Sequence, residues 1–367
     1  MNTFGKTIGL TIFGESHGLS IGAVLDGLPS GEAIDWDAVR TEMARRAPGK
    51  NPMSTARAEK DAFEVQSGFF NGYTTGTPLC AIIRNSDQHS RDYDQLRHLM
   101  RPGHADYSGK IRYGGFNDYR GGGHFSGRLT APLVFAGAVA SQILARHGIT
   151  VGSHILRLAG IADKPFNAVG ETAETLQALK KETLPVLDKA QAGPMEAKIL
   201  AAKNDLDSVG GVIECMITGL PAGIGDPFFD SVESQLSHMM FSVPAVKGIE
   251  FGDGFALADL RGSRPMMTFI MTAMSSRPGP ITTAASMAVS PTACPSSSAW
   301  SSSRRLPSAR NRKRSTRIRK RIVTSSSKAV TTRASSSGPF PSSKRQRPGL
   351  SSTSACRRKG GAGNGCF

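Results

Sequence analysis

Between Arg101 and Arg128 the chain reads RPGHADYSGKIRYGGFNDYRGGGHFSGR, with eight glycines, five cationic side chains and two histidines in 28 residues. Glycines let backbone N–H groups close on a ligand with no Cβ in the way, and Arg or Lys add charge-assisted hydrogen bonds to carboxylate or phosphate oxygens. The segment reads as a loop built around a small phosphorylated ligand. His104 and His124 add groups that titrate near neutrality, which a plain turn does not need. Directly afterwards, Leu129 to Ala145 is apolar enough for a buried helix, with Ser126 or Thr130 as cap candidates and Pro132 in the first turn. The Gly121-Gly122-Gly123 run is therefore expected to meet a helix N-terminus, whose free N–H groups and partial positive charge suit phosphate. It is not a dinucleotide fingerprint, because Ser126 stands where that motif needs glycine. The competing reading is a surface loop whose glycines only make turns.

A second concentration of glycine runs from Phe13 to Gly31, in FGESHGLSIGAVLDGLPSG. His17 follows a short β-branched strand, Thr7 to Phe13, and stands between Gly14 and Gly18, so its imidazole is expected to project from a tight turn at a strand end. A histidine in such a turn is by itself more often structural than catalytic. Arg45-Arg46-Ala47-Pro48-Gly49-Lys50 closes a helix that starts near Asp35, and basic residues in a last turn are common for dipole reasons alone.

The chain changes character after Ser263. Residues 1–263 hold 25 basic and 29 acidic residues, whereas residues 264–367 hold 20 basic residues and no Asp, Glu, His or Tyr. Serine runs dominate the second segment. Few apolar residues and a +20 charge predict disorder over 264–367 as written, and as an evolved extension it would be a Ser/Arg-rich arm binding nucleic acid non-specifically through its cations. The other reading is translation in a wrong reading frame, and the complete loss of acidic residues favours it.

Residues 1–263 are long enough to bury a substantial core as one domain. Their start lacks the basic and apolar pattern of a secretory signal. Leu129 to Ala145 is shorter than a membrane span, which points to a cytoplasmic protein with no membrane partner. Cys80 and Cys215 match no metal or disulfide spacing, and no residue set reads as a metal site. Strand signals fall at Thr7 to Phe13, Ile21 to Asp26, Phe63 to Gly68, Pro78 to Arg84, Thr150 to Leu158, Gly210 to Thr218 and Val246 to Phe251. Helical patterns fall at Asp35 to Arg46, Leu129 to His147, Glu171 to Leu184, Pro194 to Asn204 and Phe229 to Met240. Without regular β-α alternation, the class is α+β rather than a doubly wound parallel sheet.

Together the motifs resemble the chorismate synthase family. Gly14-Glu15-Ser16-His17-Gly18, continuing through Asp26-Gly27-Leu28-Pro29, looks like its N-terminal signature. Arg101-Pro102-Gly103-His104-Ala105-Asp106 and Asp118-Tyr119-Arg120-Gly121-Gly122-Gly123 look like its central signatures. Gly219-Leu220-Pro221-Ala222-Gly223, Ala245-Val246-Lys247-Gly248 and Gly252-Asp253-Gly254-Phe255 also match family segments. His124-Phe125-Ser126-Gly127-Arg128 departs from the family's usual Arg-Ser-Ser-Ala-Arg while keeping the serine and the final arginine. The resemblance covers residues 1–263; the family's later Gly-rich, Lys-Pro and Arg-His-Asp-Pro segments are not found in 264–367.

The resemblance implies helices sandwiched between antiparallel sheets, a homotetramer, and reduced FMN as cofactor, with NADP as an associated nucleotide. It implies a phosphate lyase that forms chorismate from 5-enolpyruvylshikimate 3-phosphate by 1,4-elimination, without net redox change. On it, His17 is the expected proton donor to the leaving phosphate and His104 the group managing flavin protonation. Arg101, Arg120 and Arg128 are the expected substrate cations, while Arg46, His124, Phe125, Ser126, Pro244 and Ala245 fall where the cofactor contacts would be. Lys247 and Arg57 have no assigned place. The alternatives are a fragment inactivated by its garbled last third, and a nucleic-acid-binding protein driven by the tail.

Overall fold

The computed structural model describes residues 1–49, 51–54, 59–86, 100–101, 103–168, 170–261 and 281–289. All of them belong to a compact unit spanning Met1–Leu306. In chain order the first half contains β1 (Thr3–Phe4), β2 (Gly9–Gly14), β3 (Ser20–Asp26), α1 (Trp36–Arg46), β4 (Phe63–Ser67), β5 (Phe69–Phe70), β6 (Tyr73–Thr74), β7 (Leu79–Arg84), α2 (Asp106–Arg112) and α3 (Thr130–Arg146). The second half contains β8 (Thr150–Leu158), β9 (Ile161–Ala162), α4 (Ala173–Leu179), α5 (Ala192–Asn204), β10 (Gly211–Leu220), α6 (Val232–Ser242), β11 (Val246–Phe251) and β12 (Ile281–Val289).

Two five-stranded antiparallel sheets result, in the orders β1-β2-β3-β7-β4 and β11-β12-β10-β8-β9. The first is specified by alternation. Ile21, Ala23 and Leu25 pair with Ile83, Ala81 and Leu79, and all six are buried on one face. A slip of one residue would turn that face to water. α3 packs on β2, β3 and β7 of the first sheet and on β8 of the second, so it is a helix between two sheets. Its residues Ala131, Phe135, Ala138 and Val139 repeat at helical spacing and are nearly inaccessible to water. The Gly127–Arg146 stretch has the length and the mean hydropathy, 1.4, of a bilayer span, yet it packs here as a core helix. α1 lies against α3, and Trp36 at its start meets Phe63, Phe69 and Phe135 with ring centroids 4.8–6.2 Å apart. Of these rings only Phe135 is fully buried, and its burial contributes roughly 1.5–3 kcal/mol.

The α+β class read from the sequence stands, and so do the helices between antiparallel sheets that the resemblance implies. Two differences matter for the site. The reading placed no element between Arg84 and Leu129, whereas α2 occupies Asp106–Arg112. The glycine run does not touch the α3 N-terminus directly: Ser126 first caps a separate tight turn, Gly127–Leu129, with its Oγ accepting from Arg128 N. β12 falls inside the range read as a tail, and the rest of that range lies outside the described residues.

Candidate active site

β2 and β3 form a hairpin whose connecting residues, 15–19, carry His17. Gly18 N donates to Glu15 O at 3.0 Å and closes the turn. The glycine run lies along this turn. Ser16 N donates to Gly123 O at 3.1 Å, and His124 Nδ1 donates to Gly14 O at 2.8 Å. Gly121 and Gly122 have φ of 57° and 86°, the left-handed region that side-chain-bearing residues avoid. A Cβ on Gly121 would lie 2.2 Å from the His17 ring, and one on Gly122 would lie 2.7 Å from the His104 ring and 3.3 Å from Arg101 Nη2. Successive glycines thus seat the two histidines, His17 buried and His104 half-buried. Glycine is required by both conformation and space.

Two arginines face this run, each held by a carboxylate near it in sequence. Arg101 grips Asp106 through Nε at 2.8 Å and Nη2 at 2.9 Å, while His104 Nδ1 stands 2.6 Å from the same carboxylate. The Arg101 hydrogen bonds, outweighing burial, lower the Asp106 pKa to about 2, with the neighbouring His104 contributing. Arg120 grips Asp118 through Nε at 3.0 Å and Nη2 at 2.8 Å. Burial pushes the Asp118 carboxyl up, but the Arg120 side-chain and backbone bonds, with His17 nearby, hold it below its ordinary value. The side chains of Arg101 and Arg120 remain 36% and 43% exposed, while their carboxylates are only 12% and 20% exposed.

Arg128 is placed differently. Its side chain is 2% exposed and ion-paired to Asp61 and to Glu59, the latter at 3.1 Å, while its Nε donates to Asn85 Oδ1 at 3.0 Å. Arg46 shares the network through Asp61 at 2.5 Å and reaches Gly127 O at 3.3 Å. A ligand cannot reach Arg128 without opening these pairs, so its position suits holding the turn after the glycines. Glu59, Asp61 and Asn85 carried no sequence signal, because each lies tens of residues from the arginine it meets.

The remaining expected residues divide. Phe125 packs on Gly109 of α2 and meets Tyr113 at 6.2 Å between centroids, forming an aromatic wall beside the glycines. Thus His17, Arg46, Arg101, His104, Arg120, His124, Phe125, Ser126 and Arg128 come together. Pro244 and Ala245 lie in the turn from α6 to β11 in the other half of the fold, Ala245 with φ 72°. Lys247 is exposed on β11, and Arg57 lies outside the described residues. His154 is fully buried between Asp163 at 3.0 Å and Glu214 at 2.9 Å. Cys215 is buried on β10, and Cys80 is half-buried on β7, where burial pushes its thiol up.

The family model described as chorismate synthase matches residues 8–322. A chorismate synthase of Dehalococcoides mccartyi is 44% identical over 263 residues, covering 72% of this chain and 71% of that protein. Those of Chitinophaga pinensis and Methanosarcina acetivorans are 45% and 42% identical over 262 residues, covering 71% of this chain in both cases and 69% and 70% of those proteins. A crystal structure of chorismate synthase superposes with a TM-score of 0.61 at 25% identity, covering 78% of this chain and 84% of that one. The histidine-flanked glycine run therefore belongs to a fold and a sequence lineage that agree: the chain is a member of the chorismate synthase family, a lyase family of aromatic amino acid biosynthesis.

Proposed function

We propose that the chain removes phosphate and a ring hydrogen from 5-enolpyruvylshikimate 3-phosphate to give chorismate, and that the reaction takes place over Gly121 and Gly122. The observation that carries this reading is the pair of histidines seated on adjacent Cβ-free positions, with Arg101 and Arg120 beside them. The substrate's two carboxylates and phosphate need cations, and guanidinium forks match their oxygen geometry. As the C–O bond to phosphate breaks, negative charge grows on the leaving oxygen. His17, buried beside the run, supplies a proton or positive charge there.

The residues present fit reduced FMN: a strip without Cβ atoms lets a flat ring approach, Phe125 and Tyr113 offer an aromatic wall, and the arginines match a phosphate. When bound, that cofactor supplies an electron-rich ring that eases C–O cleavage without net redox change. Arg46, His124 and Ser126 are the further residues we assign to holding it, with Pro244 and Ala245 on the family resemblance alone. His104, anchored by Asp106, would be the group that manages the cofactor's protonation when it is bound. We assign Arg128 to positioning rather than to substrate contact. A homotetramer, a cytoplasmic location and NADP as the associated nucleotide rest on the resemblance.

The test is chorismate formation by the full chain with reduced FMN. His17→Ala and His104→Ala should each cut turnover by about 10² while leaving substrate binding within a few-fold. Full turnover in both variants, or none in the unmodified chain, refutes the assignment. We also read 264–367 as out-of-frame translation; an acidic, Arg-His-Asp-Pro-bearing continuation in another frame beyond codon 263 is the expected finding, and stops in both other frames refute it.

A further inference from the structure

We propose that Asn85 is a positioning residue whose amide ties the His17 turn to Arg128 and so sets where the imidazole stands. Asn85 directly follows β7, whose Arg84 pairs with Ser20 at the start of β3. The pairing brings residue 85 beside the hairpin turn, and its backbone N donates to Leu19 O at 3.2 Å. From there Nδ2 donates to Glu15 O at 2.9 Å and to Gly18 O at 2.8 Å, spanning the turn on both sides of His17. Oδ1 accepts from Arg128 Nε at 3.0 Å. A carbonyl can only accept and a guanidinium can only donate, so the chemistry of the partners fixes which end of the amide is which.

The bridge matters because its far end is rigid. Arg128 is buried and pinned by Asp61 and Glu59, so the amide transmits the position of a fixed node rather than of a mobile side chain. The same turn is also held through Ser16 N by Gly123 O, two residues after Gly121, which seats the His17 ring. His17 is thus clamped between β7 and the glycine run. Only an amide serves here. Aspartate, of the same shape, would set a carboxylate oxygen against two carbonyl oxygens and convert two attractions into repulsions.

The test uses the full-length chain with 15N-labelled histidine, the His17 ring signals being identified by their absence in His17→Gln. In Asn85→Ala and Asn85→Asp, the His17 signals and their titration midpoint should move, while those of exposed His147 and His238 stay in place. Unmoved His17 signals in both variants, with the fold intact by circular dichroism, overturn the proposal. So does loss of the fold in both variants, because Asn85 would then be a requirement of the sheet rather than of the turn. The consequence for turnover rests on the proposed role of His17: kcat should fall about 10- to 100-fold with KM nearly unchanged. Unchanged kcat beside a displaced ring would count against His17 as proton donor and leave the bridge standing, so the two failures are distinguishable.

Discussion

Substituting Gly121 by alanine tests the central geometry with a single methyl group. The new Cβ would stand 2.2 Å from His17 Nδ1 and Cε1 and 3.1 Å from Ser16 Oγ. Ordinary heavy-atom contact begins at about 3.5 Å, so the imidazole has to retreat by roughly 1.3 Å. It has little room, since His17 is only 4% exposed. The φ of 57° adds about 1–2 kcal/mol for a residue bearing a Cβ. Overpacking of a filled site adds about 1–3 kcal/mol, for a total of about 2–5 kcal/mol. In a unit of this size that lowers the thermal midpoint by about 4–20 °C. A misplacement of about 1 Å should also reduce turnover by about 10². Gly137→Ala is the matching control, because that glycine sits on the exposed face of α3 with nothing within 4 Å of its would-be Cβ. It should stabilise the protein by about 0.5–1 kcal/mol. A Gly121→Ala protein with the parent's melting temperature and turnover would refute the placement of His17 over the glycine run.

Three further outcomes follow from the buried charges. Arg128→Met should cost about 3–5 kcal/mol in denaturant unfolding, because Asp61 and Glu59 would keep their charges in the interior; a loss below about 1 kcal/mol would show the network to be dispensable. Asp106 is lowered to about 2 by Arg101, so its contribution is present above the unfolded carboxyl value near 4 and disappears as pH falls toward 2. Allowing for the 36% exposure of Arg101, this is worth about 1–2 kcal/mol, and Asp106→Asn should flatten that part of the stability–pH curve; an unchanged curve contradicts the assignment. His154→Gln should destabilise the second half by about 3–5 kcal/mol, since Asp163 and Glu214 would face each other's charge without the imidazole between them. Urea unfolding followed by circular dichroism decides that point, and a change below about 1 kcal/mol would refute it.

The elements that the sequence displayed best are those with local signals at both ends. α1 begins at Trp36 because Asp35 Oδ1 accepts from Asp37 N at 2.9 Å and from Ala38 N at 3.2 Å, a cap visible in the sequence. β8 and β11 occupy the predicted ranges, Thr150–Leu158 and Val246–Phe251. The misses have tertiary causes. α4 ends at Leu179, five residues before the predicted Leu184, because the chain must turn to let Pro185 O accept from Ile155 N of β8. α2 was hidden by Gly109, a residue that argues against helix by propensity. That glycine is there for packing: a Cβ would stand 2.6 Å from the Phe125 ring.

The site shows the same division between local and distant information. The glycines, His17, His104 and the arginines announce a place for an anion, since each type is unusual at that density. What the residue types could not convey is how the arginines differ. Arg120 and Arg101 take their carboxylates from two and five residues away, Asp118 and Asp106, so one short segment orients each fork while its surface stays open to solvent. Arg128 takes Asp61 from 67 residues away, and this pair closes in the interior, with both side chains at most 2% exposed. The cost of burying that charge is offset by the carboxylates of Asp61 and Glu59 and the amide oxygen of Asn85 gathered around it, with Arg46 sharing Asp61. Side-chain exposure therefore sorts these three cations: Arg101 and Arg120 stay open enough to meet a ligand, whereas Arg128 holds the turn on which the ligand site is built.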